Sequence, residues 1–180
     1  MFELDPKHLM VQRLARDFSQ KEIKPYAAII DEESRFPWEN VEKLFQYGFF
    51  GITCPKEYGG QGCDTLAYTL MLEEIAKVCA TTAVITSVHG GLCMYLLYRY
   101  GTEEQKQYWL PKMNRDCIAS FALTEANAGT DASGIRTVAR KCDDGYILNG
   151  SKLFITNAGP AKLYIILAST DPSLGTKGIT

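Results

Sequence analysis

The sequence is poor in the residues that metal and nucleic-acid chemistry need. It has two histidines, and its six cysteines (Cys54, Cys63, Cys79, Cys93, Cys117 and Cys142) include no Cys-x-x-Cys pair. The ligand spacings of zinc and iron–sulfur sites are therefore missing, and no metal is expected. An even cysteine count is compatible with disulfides. Several of these cysteines sit inside apolar helical or strand patterns, however, so buried free thiols in a reducing compartment are the preferred reading. No stripe of Lys and Arg interleaved with aromatics is present and the net charge is −2, which argues against nucleic acid as a partner. Internal repeats and low-complexity tracts are also lacking. The stretch from Met1 to Pro6 reads neither as a secretory signal nor as an Arg-rich transit peptide, so a cytoplasmic location is expected. The most apolar region, Thr82 to Tyr98, is interrupted by Thr86, Ser87, His89, Gly90 and Gly91. It reads as too short and too polar to span a bilayer.

What is present is a core-forming composition. Hydrophobic residues make up 46% and charged residues 22%, so a packed fold is expected and disorder is not. The 180 residues suffice for one ordinary domain, or for a helical domain plus part of another. The chain changes character near Cys117. Before it, helices are predicted from their caps and breakers. Asp5-Pro6 opens a helix with Leu9, Leu14, Phe18 and Val11 as its apolar face, and Pro25 ends or kinks it. Pro37 to Tyr47 follows and stops at Gly48; Gly48 to Gly62 is loop. Asp64 caps a helix through Lys77, with Leu66, Leu70 and Ile75 inward. A buried helix runs from Thr81 or Thr82 to Arg99. Thr102 and Gln105 form a capping box for a last helix ending near Leu110-Pro111. After Cys117 the pattern becomes β: strands at Ile118–Leu123, Ile135–Lys141, Ser151–Thr156 and Lys162–Ser169, with tight turns at Asp143-Asp144-Gly145 and Asn149-Gly150. The expectation is an α+β chain: a helical domain over residues 1–116, then the first part of an antiparallel, barrel-like β domain over 117–180.

Two strand ends carry the chemistry. Phe121-Ala122-Leu123-Thr124-Glu125-Ala126-Asn127-Ala128-Gly129-Thr130-Asp131 begins apolar and opens into small and polar residues. About thirty residues on, Lys152-Leu153-Phe154-Ile155-Thr156-Asn157 repeats the arrangement. Each segment offers a threonine hydroxyl, free backbone groups and an aromatic. A flat heterocycle with polar edges needs this combination, apolar cover for its face and fixed donors and acceptors for its rim, and a flavin fits it. The bland alternative is that both are ordinary turns.

The order and spelling of these segments resemble the flavin-binding stretches of the acyl-CoA dehydrogenase family. Pro55-Lys56-Glu57-Tyr58-Gly59-Gly60-Gln61-Gly62, Glu73-Glu74-Ile75-Ala76-Lys77 and Tyr100-Gly101-Thr102-Glu103-Glu104-Gln105-Lys106 are similar to it too. The likeness is closest to short-chain and short branched-chain members. It implies an FAD-dependent flavoprotein oxidoreductase of fatty acid β-oxidation, a homotetramer. Such an enzyme dehydrogenates an acyl-CoA thioester at Cα–Cβ to the 2-enoyl-CoA and passes electrons to an electron-transfer flavoprotein. The resemblance places Thr124 at the pyrimidine edge of FAD and Thr156 near N5 and O4. Phe121, Leu123, Phe154 and Ile155 flank the ring, Gly129 lets the backbone approach, and Thr130 meets both cofactor and acyl-CoA. Ala126 stands where the family usually has Pro, and Phe154 where many members have Trp.

The family's catalytic carboxylate lies in a C-terminal helical domain. The resemblance thus implies a base beyond Thr180, a chain that is the N-terminal part of a longer protein, and no catalytic residue within it. Glu125 is the tempting local substitute but reads better as a loop or surface carboxylate. Glu73 and Glu74 read as solvated or paired, and His89 as a core histidine. The helix around Ile85, Val88 and His89 could line the acyl chain. The competing readings are a non-catalytic flavin- or acyl-CoA-binding fragment and a purely structural module.

Overall fold

A computed structural model describes residues 3–180, which form two compact units, one ending at Ile118 and the other spanning Ala119–Thr180.

The first unit is helical. Helix α1 (Pro6–Phe18) starts at Asp5, whose side chain accepts from the His8 N–H. Its inner face differs from the predicted one. Leu9 and Leu14 are exposed, whereas Val11 is half-buried and Ala15 and Phe18 are buried. The spacing 11, 15, 18 wins because α1 packs on α4 (Thr65–Ala76), and small Ala15 on that face lets the two helices approach. Pro25 does not end the helix. A π turn at Ser19–Ile23 intervenes, with Lys24 N–H reaching back five residues to Ser19 O, and α2 (Lys24–Glu33) continues with Pro25 in its first turn. The wider turn accommodates a residue that lacks an N–H and clashes inside regular α-helix. Helix α3 (Trp38–Gln46) stops before Gly48, whose φ is 72°. In the loop that follows, a Cβ on Gly60 would sit 2.1 Å from Cys54 O, so only glycine fits there.

Asp64 caps α4 as expected, accepting from Ala67 N–H. Glu74 on this helix is buried and paired: Arg16 Nη2 lies 3.0 Å and Lys77 Nζ 2.9 Å from its Oε1. The run Ala80–Tyr100 comprises α5 (Ala80–Thr86), a π turn at Ser87–Met94 and α6 (Tyr95–Tyr100). At 21 residues it is long and apolar enough to cross a membrane by length and composition, contrary to the sequence expectation. Here it supplies core: Thr82, Ile85, Thr86, His89 and Cys93 are all buried. His89 Nε2 meets Met113 O at 2.9 Å and its ring stands edge-on to Phe50. Burial holds its pKa down, to about 4, despite that bond, so the imidazole is neutral. Helix α7 (Glu103–Met113) starts at the Thr102/Gln105 capping box and runs past Pro111 rather than ending there. Full burial of Leu110 and Met113 offsets the cost of proline in a last turn.

The second unit holds four short strands. β2 (Val138–Cys142) and β3 (Gly145–Asn149) form the expected hairpin, antiparallel from Val138↔Asn149 to Cys142↔Gly145. β1 (Ala119–Ala122) and β4 (Leu163–Ile166) pair in parallel, Ala119 opposite Leu163 and Ala122 opposite Ile166. The α+β class stands, but the antiparallel expectation fails for this pair, and the described strands close no barrel. Tight turns dictate antiparallel pairing only between strands they join. The long connection from β1 to β4 is free to return in parallel. Residues 151–156 form no strand, and Asn149-Gly150 ends β3 rather than turning a second hairpin.

Candidate functional site

Segment 152–157 lies along β1 in the opposite sense without a ladder. Leu153 N–H donates to Thr124 O at 2.8 Å, and Lys152 Nζ to Leu123 O at 2.9 Å. Ser120 Oγ donates to Thr156 O at 2.7 Å, and Asn157 Nδ2 to Ala119 O at 3.1 Å. Three of these four donors are side chains. They satisfy carbonyls that a neighbouring strand would otherwise take, which explains why a segment read as a strand is none.

The segment is bent. Phe154 has φ 56° and Asn157 φ 67°. Left-handed backbone is tolerable for asparagine and uncommon for a bulky residue, where it stores about 1–3 kcal/mol of strain. It turns the Phe154 ring out of the fold, 92% exposed. Phe121, Leu123, Thr124, Ile155 and Thr156 are half-buried. Neither the Thr124 nor the Thr156 hydroxyl has a hydrogen-bond partner among the described residues. The structure thus puts six of the eight predicted cofactor residues on two adjoining segments. The other two, Gly129 and Thr130, are exposed on the loop after Glu125. Asn127 Nδ2, donating to Gly134 O at 2.6 Å, ties that loop across itself. No hydrogen bond among the described residues joins Gly129 or Thr130 to segment 152–157. Nothing lies within 4 Å of where a Gly129 Cβ would be, so this chain's own packing does not demand glycine there.

Glu125 departs from its sequence reading. It is no surface carboxylate but 6% exposed. It accepts from Arg136 N–H at 2.7 Å, Thr137 N–H at 3.0 Å and Lys152 Nζ at 2.8 Å. Burial alone would raise its pKa; the Lys152 ammonium and the Thr137 and Arg136 donors outweigh burial and hold it at about 2. Sequence reasoning missed Ser120, Lys152 and Asn157 as organisers of the site. The available signal was a charged residue at the end of one apolar run and another at the start of the next. In the helical unit, Ile85 and His89 face the core and only Val88, half-buried, reaches outward, so the suggested acyl-lining trio is not presented as a group.

A helical unit followed by a β unit, with two tied segments presenting unpartnered hydroxyls and an outward aromatic, supplies the groups that a site for a flat, polar-edged ring needs. Comparison with known proteins makes this particular. Residues 5–116 match the acyl-CoA dehydrogenase N-terminal domain and residues 120–180 the acyl-CoA dehydrogenase middle domain. The chain belongs to the acyl-CoA dehydrogenase family. It is similar to the short-chain specific acyl-CoA dehydrogenase of Clostridium acetobutylicum, 50% identical over 99% of this chain and 48% of that protein. Among solved structures it is similar to butyryl-CoA dehydrogenase from Megasphaera elsdenii, with TM-score 0.93 and 41% identity over 100% of this chain and 48% of that one. It is also similar to a glutaryl-CoA dehydrogenase from Mycobacterium smegmatis in complex with FADH2, with TM-score 0.89 and 34% identity over 93% and 44% of the two chains. The chain spans about half the length of the relatives it matches.

Proposed function

We propose that this chain supplies the flavin-binding part of an FAD-dependent short-chain acyl-CoA dehydrogenase, its helical domain covering 1–116 and its β domain beginning at 117. The observation that carries the reading is the pair of unpartnered threonine hydroxyls, Thr124 and Thr156, on segments tied side by side, with Phe154 turned outward between them. These residues fit the cofactor. Hydroxyls without an internal partner suit the polar rim of an isoalloxazine, an exposed ring suits its face, and the open space at Gly129 suits a close backbone approach. Phe121, Leu123 and Ile155 complete the apolar cover, and Thr130 faces cofactor and acyl-CoA.

Bound FAD supplies the acceptor for the hydride that leaves Cβ of the acyl thioester. The chain's own residues would hold and orient it: Thr124 at its pyrimidine edge, Thr156 near N5 and O4, and Phe154 beside the ring. The α proton goes to a carboxylate outside residues 1–180, a step for which a positioned base is worth about 10²–10⁴-fold. Glu125 does not serve. Three donors occupy its oxygens, and a carboxylate held at about 2 is a poor base at neutral pH. Electrons pass onward to an electron-transfer flavoprotein, and the assembled enzyme is a homotetramer.

The test is optical. The full-length protein, purified and reconstituted with FAD, is expected to show a flavin spectrum that butyryl-CoA bleaches anaerobically. A protein that takes up no flavin refutes the reading. One that takes up flavin but is not bleached by any short acyl-CoA is a non-catalytic flavin- or acyl-CoA-binding protein.

A further inference from the structure

We propose that Lys152 and Glu125 form a positioning pair that fixes the two flavin-facing segments against each other; the proposal rests on the flavin reading above. Lys152 Nζ donates both to Leu123 O at 2.9 Å and to Glu125 Oε1 at 2.8 Å. The next residue's N–H takes Thr124 O at 2.8 Å. Thr124 is therefore bracketed: the carbonyl before it, its own carbonyl and the carboxylate after it are all held from segment 152–153. Glu125 extends the grip to Arg136 and Thr137 at the approach to β2.

Both charged side chains are removed from water, 10% and 4% exposed. For stability alone this is a poor choice, since an apolar pair of similar volume often does as well as a buried ion pair. An apolar pair could hold neither the Leu123 carbonyl nor the Arg136 and Thr137 N–H groups, and that directional grip is what the ion pair adds. It matters because Phe154, two residues after Lys152, sits in left-handed backbone. Such a conformation persists only while its surroundings over-determine it. With the ammonium removed, the Leu153, Ser120 and Asn157 bonds remain but the charged tie at the start of the segment is gone, and the bend at Phe154, two residues on, is less firmly held relative to Thr124. Neither Lys152 nor Glu125 needs to touch the ring for this effect.

The experiment uses the full-length protein with FAD as probe, in three variants: Lys152→Met, Lys152→Arg and the double variant Glu125→Gln/Lys152→Met. Three quantities are read: FAD affinity by flavin fluorescence, visible circular dichroism of bound flavin, and the Tm of the apoprotein. Lys152→Met is expected to weaken FAD about 10- to 100-fold, the range for a lost charge-assisted hydrogen bond, and to alter the dichroism of whatever flavin remains bound. The double variant leaves no buried charge unpaired and is expected to regain Tm without regaining affinity or dichroism. Lys152→Arg should recover part of both. A double variant with wild-type FAD affinity would reduce the pair to a structural role and overturn the proposal, as would wild-type affinity and dichroism in Lys152→Met. Absence of flavin from the wild-type protein is a different result: it refutes the flavin reading itself.

Discussion

The buried ionisable groups of the two units have different surroundings. In the helical unit, Glu74 is enclosed and answered by Arg16 and Lys77, and His89 is enclosed and bonded to Met113 O. Their polarity is consumed internally. In the β unit the buried Glu125 is answered just as fully, yet within a few residues of it or of its partner Lys152, Thr124 and Thr156 keep hydroxyls unanswered and Phe154 keeps its ring in solvent. On the proposed reading, the buried and satisfied side chains build the fold, whereas the open hydroxyls beside them are what is offered to the flavin. Under that proposal Glu74, His89 and Glu125 build, and Thr124, Thr156 and Phe154 receive.

The contrast can be broken in several ways, in falling order of effect. Ile75→Ala removes a fully buried side chain from α4 and should cost about 2–5 kcal/mol in urea unfolding, with flavin affinity unchanged in whatever protein remains folded. A cost below about 1 kcal/mol would mean that α4 is not core. Next comes acid. Glu125 has a folded pKa of about 2 against an ordinary 4.5. Its contribution to stability is therefore present in full above pH 4.5, declines below it, and is gone once pH has fallen through about 2. Glu125→Gln should flatten the stability–pH curve across that window, and parallel curves for wild type and variant would deny the carboxylate its role.

Smaller effects test the receiving groups. Thr156→Val and Thr124→Val should each weaken FAD by about 0.5–1.5 kcal/mol, the value of a neutral hydrogen bond, while leaving apoprotein stability unchanged because neither hydroxyl has an internal partner to lose. Loss of stability instead of affinity would move the residue to the building class. Phe154→Gly should change apoprotein stability by no more than about 1 kcal/mol, since relief of left-handed strain opposes the backbone entropy of glycine. Weaker flavin binding is expected alongside. Marked destabilisation would show that the ring has a packing role its exposure does not suggest.

Caps and breakers made much of the helical unit legible: Asp5, Asp64 and the Thr102/Gln105 box start helices where the structure starts them. These signals act over a single turn, so a single sequence displays them. The inner face of α1 was misread because Leu9 and Leu14 are more apolar than Ala15, and only packing on α4 favours the small residue. Pro111 was read as a stop and Pro25 as a stop or a kink because their local cost is real; burial carries α7 past Pro111, and at Pro25 the interruption takes the form of a π turn. In the β unit the hairpin was visible in its turn residues. The parallel partner of β1 was not, since no local feature encodes a pairing between residues 119 and 163. The candidate site was half legible. The threonines and phenylalanines proposed to receive the flavin stood out by type and order, while Glu125 looked like the loop or surface carboxylate that most such residues are and nothing local singled out Lys152.

One consequence of the π turn at Ser19–Ile23 concerns chain length rather than chemistry. Gln20 and Lys21 are exposed within it and touch little that a different side chain could not replace, yet each occupies a place in the count. With one residue fewer, regular winding would return and bring the Pro25 ring against the carbonyl four positions earlier. With the present number, the N–H of Lys24 reaches Ser19 and the proline is carried through into α2. A substitution at Gln20 or Lys21 should therefore pass almost unnoticed, whereas deleting either would disrupt the turn. What this stretch transmits to the fold is mainly how many residues it contains.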